Sequence, residues 1–119
     1  MDFQLGNICH IEMAGGELAR TKEFYSNVFG WKFSPMSPTY EFFDAGNFNG
    51  AIDQDTKPSH EGTVLVLACE DVADKLSEIE QAGCKVLKPK TAIAEGHGFY
   101  GYFEDPAGNK MGVWQPAAT

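Results

Sequence analysis

A histidine and a glutamate stand two residues apart in the apolar run Ile8-Cys9-His10-Ile11-Glu12-Met13-Ala14. On an extended strand alternate residues share a face, so the imidazole and the carboxylate would stand side by side. Imidazole exchanges protons near neutrality, which makes His10 and Glu12 an acid–base candidate as well as an ordinary hydrogen-bonded pair. His97 lies between glycines in Glu95-Gly96-His97-Gly98, a mobile turn that could serve as a lid. His60 lies in a polar stretch and is expected to be solvated. Cys9, Cys69 and Cys84 make an odd count without a C-x-x-C spacing, and are expected to be buried thiols in a reducing compartment. The sequence has no G-x-S-x-G, no G-x-x-x-x-G-K-[ST] and no H-E-x-x-H, and Gly96-His97-Gly98 lacks the strand and helix that would make it a phosphate cradle.

The elements that must position these groups belong to one compact domain of 119 residues, 43% hydrophobic and 13% aromatic. The formal net charge is -8, and the basic residues are scattered apart from Lys85, Lys88 and Lys90. That balance argues against nucleic acid or an anionic membrane as partner. No run of about 18 apolar residues is present, and the start of the chain lacks the basic and apolar regions of a signal peptide, so a soluble cytoplasmic protein is expected.

A repeat runs through the chain. Residues 8–14 read as a strand. Residues 17–29 read as a helix, with Leu18, Thr21, Tyr25, Val28 and Phe29 on one face and Gly30 as its stop. Strands follow over 31–36, 40–44 and 48–53. The order then recurs: a strand over 63–68, a helix capped by Asp71 and stopped by Gly83, and strands over 84–87, 99–104 and 110–115, the first of these extended or resumed towards Ala94. Each half closes with an Asp-containing hairpin turn and the motif Gly-Asn-x-x-Gly, at Gly46–Gly50 and Gly108–Gly112. The expected fold is therefore α+β, two tandem βαβββ modules in a curved mixed sheet around a concave cavity. Module one spans about residues 7–53, a linker about 54–62, and module two about 63–116. A curved repeat sheet offers a concave face at its junction as a ligand site.

The segments ICHIEMAGGELARTKEFYSNVFGWKF, GCKVL and FEDPAGNKMGVWQP resemble the vicinal oxygen chelate superfamily, which includes glyoxalases, bleomycin-resistance-type binding proteins and extradiol dioxygenases. The resemblance covers nearly the whole chain. It implies that metal-dependent members bind one divalent ion through four side chains, one from the first and one from the last strand of each module. Carried onto this sequence, those positions fall on His10, Gly50, Val64 and Gly112. His10 alone has a donor atom, and Glu12 adds at most a second, so no metal site and no cofactor are expected. A loop histidine such as His97 joining His10 and Glu12 is the remaining route to a divalent metal.

Glycine at 50 and 112 leaves room beside aromatic rings. By strand alternation Trp114 shares the face of Gly112, and Phe48 and Ile52 share that of Gly50. The candidate ligand-binding residues are thus His10, Phe48, Gly50, Ile52, Val64, Gly112 and Trp114, and the same aromatics also read as core filling. Three functions stand open. The first is binding of a small, partly apolar or aromatic molecule, as bleomycin-resistance-type relatives do. The resemblance adds a homodimer, and the acidic chain suits a cationic ligand. The second is a lyase, isomerase or dioxygenase using a non-standard metal site or the metal-free pair His10 and Glu12. The third is a regulatory or interaction module without turnover.

Overall fold

A computed structural model describes residues 4–6 and 8–118. Asn7, where module one is expected to begin, lies outside them. The chain divides between Lys57 and Pro58, inside the expected linker, into two compact units. Each unit holds one four-stranded mixed sheet and one helix.

Unit one runs β1 (Ile11–Ala14), α1 (Leu18–Phe29), β2 (Lys32–Ser37), β3 (Tyr40–Asp44) and β4 (Asn49–Asp53), with sheet order β1-β4-β3-β2. β1 lies parallel to β4, and the other pairs are antiparallel. The helix ends as its sequence predicts. Gly30 is left-handed at φ 75°, and the amides of Gly30 and Trp31 close onto the carbonyls of Ser26 and Tyr25 at 3.1 and 3.2 Å. Thr21, Phe24, Tyr25 and Val28 are its buried residues, while Leu18 and Phe29 are only half-buried. Two stacked contacts join helix to sheet: Tyr25 on Trp31 at 4.3 Å and Trp31 on Phe43 at 4.5 Å. Each such pair contributes about 0.5–1.5 kcal/mol beyond its buried area. Lys22 of α1 adds an ion pair, its Nζ 3.1 Å from the buried Glu41 carboxylate.

Unit two runs β5 (Leu65–Ala68), α2 (Val72–Gln81), β6 (Lys85–Ala92), β7 (Phe99–Glu104) and β8 (Lys110–Gln115), with order β5-β8-β7-β6. Asp71 caps α2 by accepting the Asp74 amide at 3.0 Å, and Val72, Leu76 and Ile79 are buried. Gly83 ends the helix at φ 91°. β6 runs on as one strand through Pro89 to Ala92. Proline is tolerated there because β6 is an edge strand, and its pairing with β7 is broken by two register shifts around Lys88.

Both first strands start later than their apolar runs do. β1 begins at Ile11 and β5 at Leu65, so His10 and Val64 lie just ahead of the strands they were expected to occupy. Cys9 is consequently exposed, not buried, and Cys69 and Cys84 are half-buried; all three are free thiols. No helix among the described residues is long and apolar enough to cross a membrane.

Candidate functional site

Strand register decides which side chains share a face. In unit one, Gly50 pairs with Ile11 and with Phe43, the ring against which Trp31 of the helix side stacks. Gly50 and Ile52 therefore belong to the helix-covered face, and Ile52 is fully buried. Ile52 is part of the core. Phe48 precedes β4, is half-buried, and accepts the Ala45 amide within the turn at 2.8 Å. The helix-free face takes the alternate residues, Glu12 beside Ala51 beside Phe42.

In unit two the parity is opposite. Gly112 pairs with Val66 and with Tyr102, while its neighbours Met111 and Val113 are buried. The reason lies in the closing turns. Residues 45–48 separate the paired Asp44 and Asn49, whereas residues 105–109 separate the paired Glu104 and Lys110. One extra turn residue flips every side chain that follows it. The counterpart of Gly112 by register is thus Ala51, not Gly50.

On the helix-free face of unit one, three polar groups meet. The Tyr40 hydroxyl donates to Glu12 Oε2 at 2.8 Å, and His10 Nε2 lies 3.1 Å from the Tyr40 oxygen. The phenol has one proton and gives it to the carboxylate, so it accepts from the imidazole and Nε2 carries a hydrogen. Nδ1 of a neutral His10 is then left as a basic lone pair. Desolvation, the hydrogen bond to Glu12 and the charges of Glu12 and Asp53 hold the Tyr40 pKa above the ordinary phenol value, so Tyr40 stays a donor at neutral pH. Ala51 stands in the row between Glu12 and Phe42, and the tyrosine of β3 reaches across β4 to Glu12 of β1. His10 also borders a groove of about 580 Å³ lined by Lys32, Phe42, Asp44 and Asn49, with Gly50 contributing only backbone. His10 and Glu12 were expected as neighbours; Tyr40, which connects them, was missed. Its signal was the short β3–β4 hairpin, which returns Tyr40 to the row of Asp53.

The helix-free face of unit two is aromatic. Val66, Ile93, Tyr100, Tyr102, Gly112 and Trp114 line a hollow of about 340 Å³. Tyr100 and Tyr102 meet edge to face at 5.4 Å. The Trp114 indole N–H donates to the His97 carbonyl at 2.9 Å, which fixes the ring and ties down the turn that carries His97. That turn is also closed by hydrogen bonds from the His97 amide to Ala94 and from the Ile93 amide to Gly98. His60 is not simply solvated, since its Nε2 lies 2.9 Å from the Glu104 carboxylate and 3.1 Å from the Gly108 carbonyl. Val64 is half-buried ahead of β5 and does not line the hollow.

A resident divalent metal does not fit these residues. The register-matched positions are His10, Ala51, Val64 and Gly112, and only the first carries a donor, whereas such ions take at least three. At Gly112 an added side chain would press on its neighbours. A Cβ built there meets Val66 Cγ2 at 3.1 Å and the Tyr102 ring at 3.3 Å. Among the described residues no group of three or more His, Cys, Asp or Glu side chains comes together.

Comparison with known proteins agrees with this architecture. A glyoxalase-related enzyme from Fulvimarina pelagi superposes with a TM-score of 0.77 at 22% identity, over 93% of this chain and 88% of that one. The fosfomycin resistance protein FosX from Listeria monocytogenes gives 0.79 at 19% identity, over 96% of both chains. Its E126Q mutant has been solved with Mn(II) and 1S,2S-dihydroxypropylphosphonic acid. A glyoxalase/bleomycin resistance protein/dioxygenase family enzyme from Burkholderia phytofirmans PsJN gives 0.77 at 16% identity, over 91% of this chain and 97% of that one. At such identities the likeness is one of fold. No curated protein sequence matches. The family model for the Glyoxalase/Bleomycin resistance protein/Dioxygenase superfamily matches residues 7–113, and the chain belongs to that superfamily.

Proposed function

We propose that the protein binds a small, partly apolar or aromatic molecule against the helix-free face of its second unit, in the manner of bleomycin-resistance-type relatives. The observation that carries this reading is Gly112, seated between Val66 and Tyr102 with the pinned Trp114 in the same row of alternate residues. The position that holds an acidic ligand in metal-dependent relatives here belongs to an aromatic wall. A rigid indole and two tyrosines present flat apolar area at low entropic cost, which suits stacking of a planar ligand. Trp114 is half-buried at the hollow whereas Trp31 is sealed in a ring stack, so ligand entry should quench only the Trp114 emission. Titration of wild type and Trp114→Phe against small aromatic compounds tests this. Saturable quenching in wild type, lost in the variant, supports it; absence of saturable quenching across such compounds overturns it. A cytoplasmic homodimer belongs to the same reading, with sedimentation as its measure.

The hydrogen-bonded series His10, Tyr40 and Glu12 favours a second reading, a metal-free lyase or isomerase. Nδ1 of His10 would take a proton from an acidic C–H or O–H of a bound molecule, while Glu12, through Tyr40, fixes the tautomer. Turnover lost in His10→Ala and sharply reduced in Tyr40→Phe, with both variants folded, supports it. Turnover unchanged in His10→Ala removes it.

A further inference from the structure

The strands that carry the aromatic hollow have a charge opposite in sign to that of the chain. The four strands of the second sheet contain four lysines, Lys85, Lys88, Lys90 and Lys110, and one carboxylate, Glu104. The four strands of the first sheet contain one lysine, Lys32, and the acids Glu12, Glu41, Asp44 and Asp53. The small lysine group that interrupts an otherwise scattered basic content therefore falls on the edge strand bordering the hollow.

Two of these lysines face the rings that line it. Lys88 pairs with Tyr102, and Lys110 shares the strand face of Gly112 and Trp114. The Lys88 ammonium lies 5.4 Å from the Tyr100 ring centre, and that of Lys110 lies 4.3 Å from the Tyr102 ring centre. Resting over a partly solvated ring holds an ammonium more weakly than a charge-assisted hydrogen bond to an oxyanion does. Either lysine would leave its ring for such a group. Glu104, the acid paired with Lys110, is already engaged by His60.

We propose that the ligand of this hollow is a flat aromatic anion, an aromatic carboxylate in its simplest form. Its ring lies against Trp114, Tyr100 and Tyr102 over the opening left by Gly112, and its carboxylate meets Lys88 or Lys110. The proposal rests on the binding function given above and assigns the class of ligand. It runs against the cationic ligand that the net charge of -8 suggests, because the field at a site follows the charges beside it and distant ones are screened.

Trp114 emission, titrated with 2-naphthoate, the neutral 2-naphthamide and the cationic 2-naphthylmethylammonium, separates the possibilities. Naphthoate is expected to bind at least about fivefold more tightly than the amide, with the cation weakest. Raised salt should shrink that preference, and Lys88→Gln and Lys110→Gln should each lower the naphthoate-to-amide ratio. Equal or tighter binding of the amide or the cation overturns the ligand class and leaves aromatic binding standing. If none of the three binds, both the binding function and this assignment fall.

Discussion

Substituting alanine at each of the two glycines that close the repeat should give opposite outcomes. Both adopt extended backbone that alanine also takes, so only the space around the added methyl group differs. At Gly50 the Cβ would run into the Ile11 carbonyl of β1 and sit 2.6 Å from Phe43 Cζ. The first neighbour is backbone in the parallel ladder, and the second is a buried ring stacked on Trp31. Neither yields cheaply. Relief requires β1 to move off β4 and Phe43 to leave its stack, so the cost belongs at the upper end of overpacking, about 3 kcal/mol. For a chain of this length that lowers Tm by roughly 12 °C. At Gly112 the nearest atoms are side-chain atoms of Val66 and Tyr102 at 3.1–3.3 Å on the helix-free face. They need to give only a few tenths of an ångström. The gain from stiffening the unfolded chain, about 0.4–1 kcal/mol, offsets much of that. Gly112→Ala should melt within about 4 °C of wild type, since its net change stays within about 1 kcal/mol. Thermal unfolding followed by circular dichroism measures both. A Gly50→Ala variant as stable as wild type, or a Gly112→Ala variant as damaged as Gly50→Ala is expected to be, would refute the assignment of the two glycines to opposite faces.

Other tests follow from the turns and the titrating groups. The buried Asp105 accepts the amides of Ala107 and Asn109 at 2.9 Å each and the Asn109 side chain at 2.8 Å, whereas the exposed Asp44 accepts, among the described residues, the Gly46 amide at 2.8 Å. Asp105→Ala should therefore cost about 2–4 kcal/mol in urea unfolding and Asp44→Ala under about 1 kcal/mol. Tyr40 has a raised pKa, so the stability from its bond to Glu12 is complete below the ordinary phenol pKa and is lost as pH rises through the folded value. Absorbance titration near the tyrosinate band should show one phenol ionising late, and Glu12→Gln should bring it back towards the ordinary value. Burial also pushes the Cys69 thiol up, against the opposing pull of Lys75, while Cys9 is exposed. A thiol reagent at pH 8 should modify Cys9 faster than Cys69, and mass spectrometry after partial labelling reads the order.

What the sequence revealed and what it concealed divide by range. Helix ends were legible because their signals are local: Gly30 and Gly83 can take the left-handed conformation, and Asp71 reaches an amide three residues on. The strand-and-helix order was legible for the same reason, twice over. The sequence leaves open whether the strand over 84–87 extends or resumes towards Ala94, and its place at the sheet edge lets β6 run through Pro89 to Ala92. Tyr40 was missed because nothing local links it to His10, 30 positions away. The face of each glycine was hardest, since it depends on the number of residues in the hairpin turn preceding it. Matching Gly-Asn-x-x-Gly by letters aligned Gly50 with Gly112, whereas the ladder aligns Ala51 with Gly112. Neither glycine nor alanine carries a donor, so the shift adds no metal ligand, but it separates the roles of the two glycines. Gly50 is held by packing, because any side chain there meets the β1 backbone. Gly112 keeps room among aromatic side chains on the helix-free face, where a ligand gains most from it. On the proposed function, then, Gly112 and not Gly50 is the one to test for binding, and a side chain larger than alanine at Gly112 should impair an aromatic ligand before it impairs the fold.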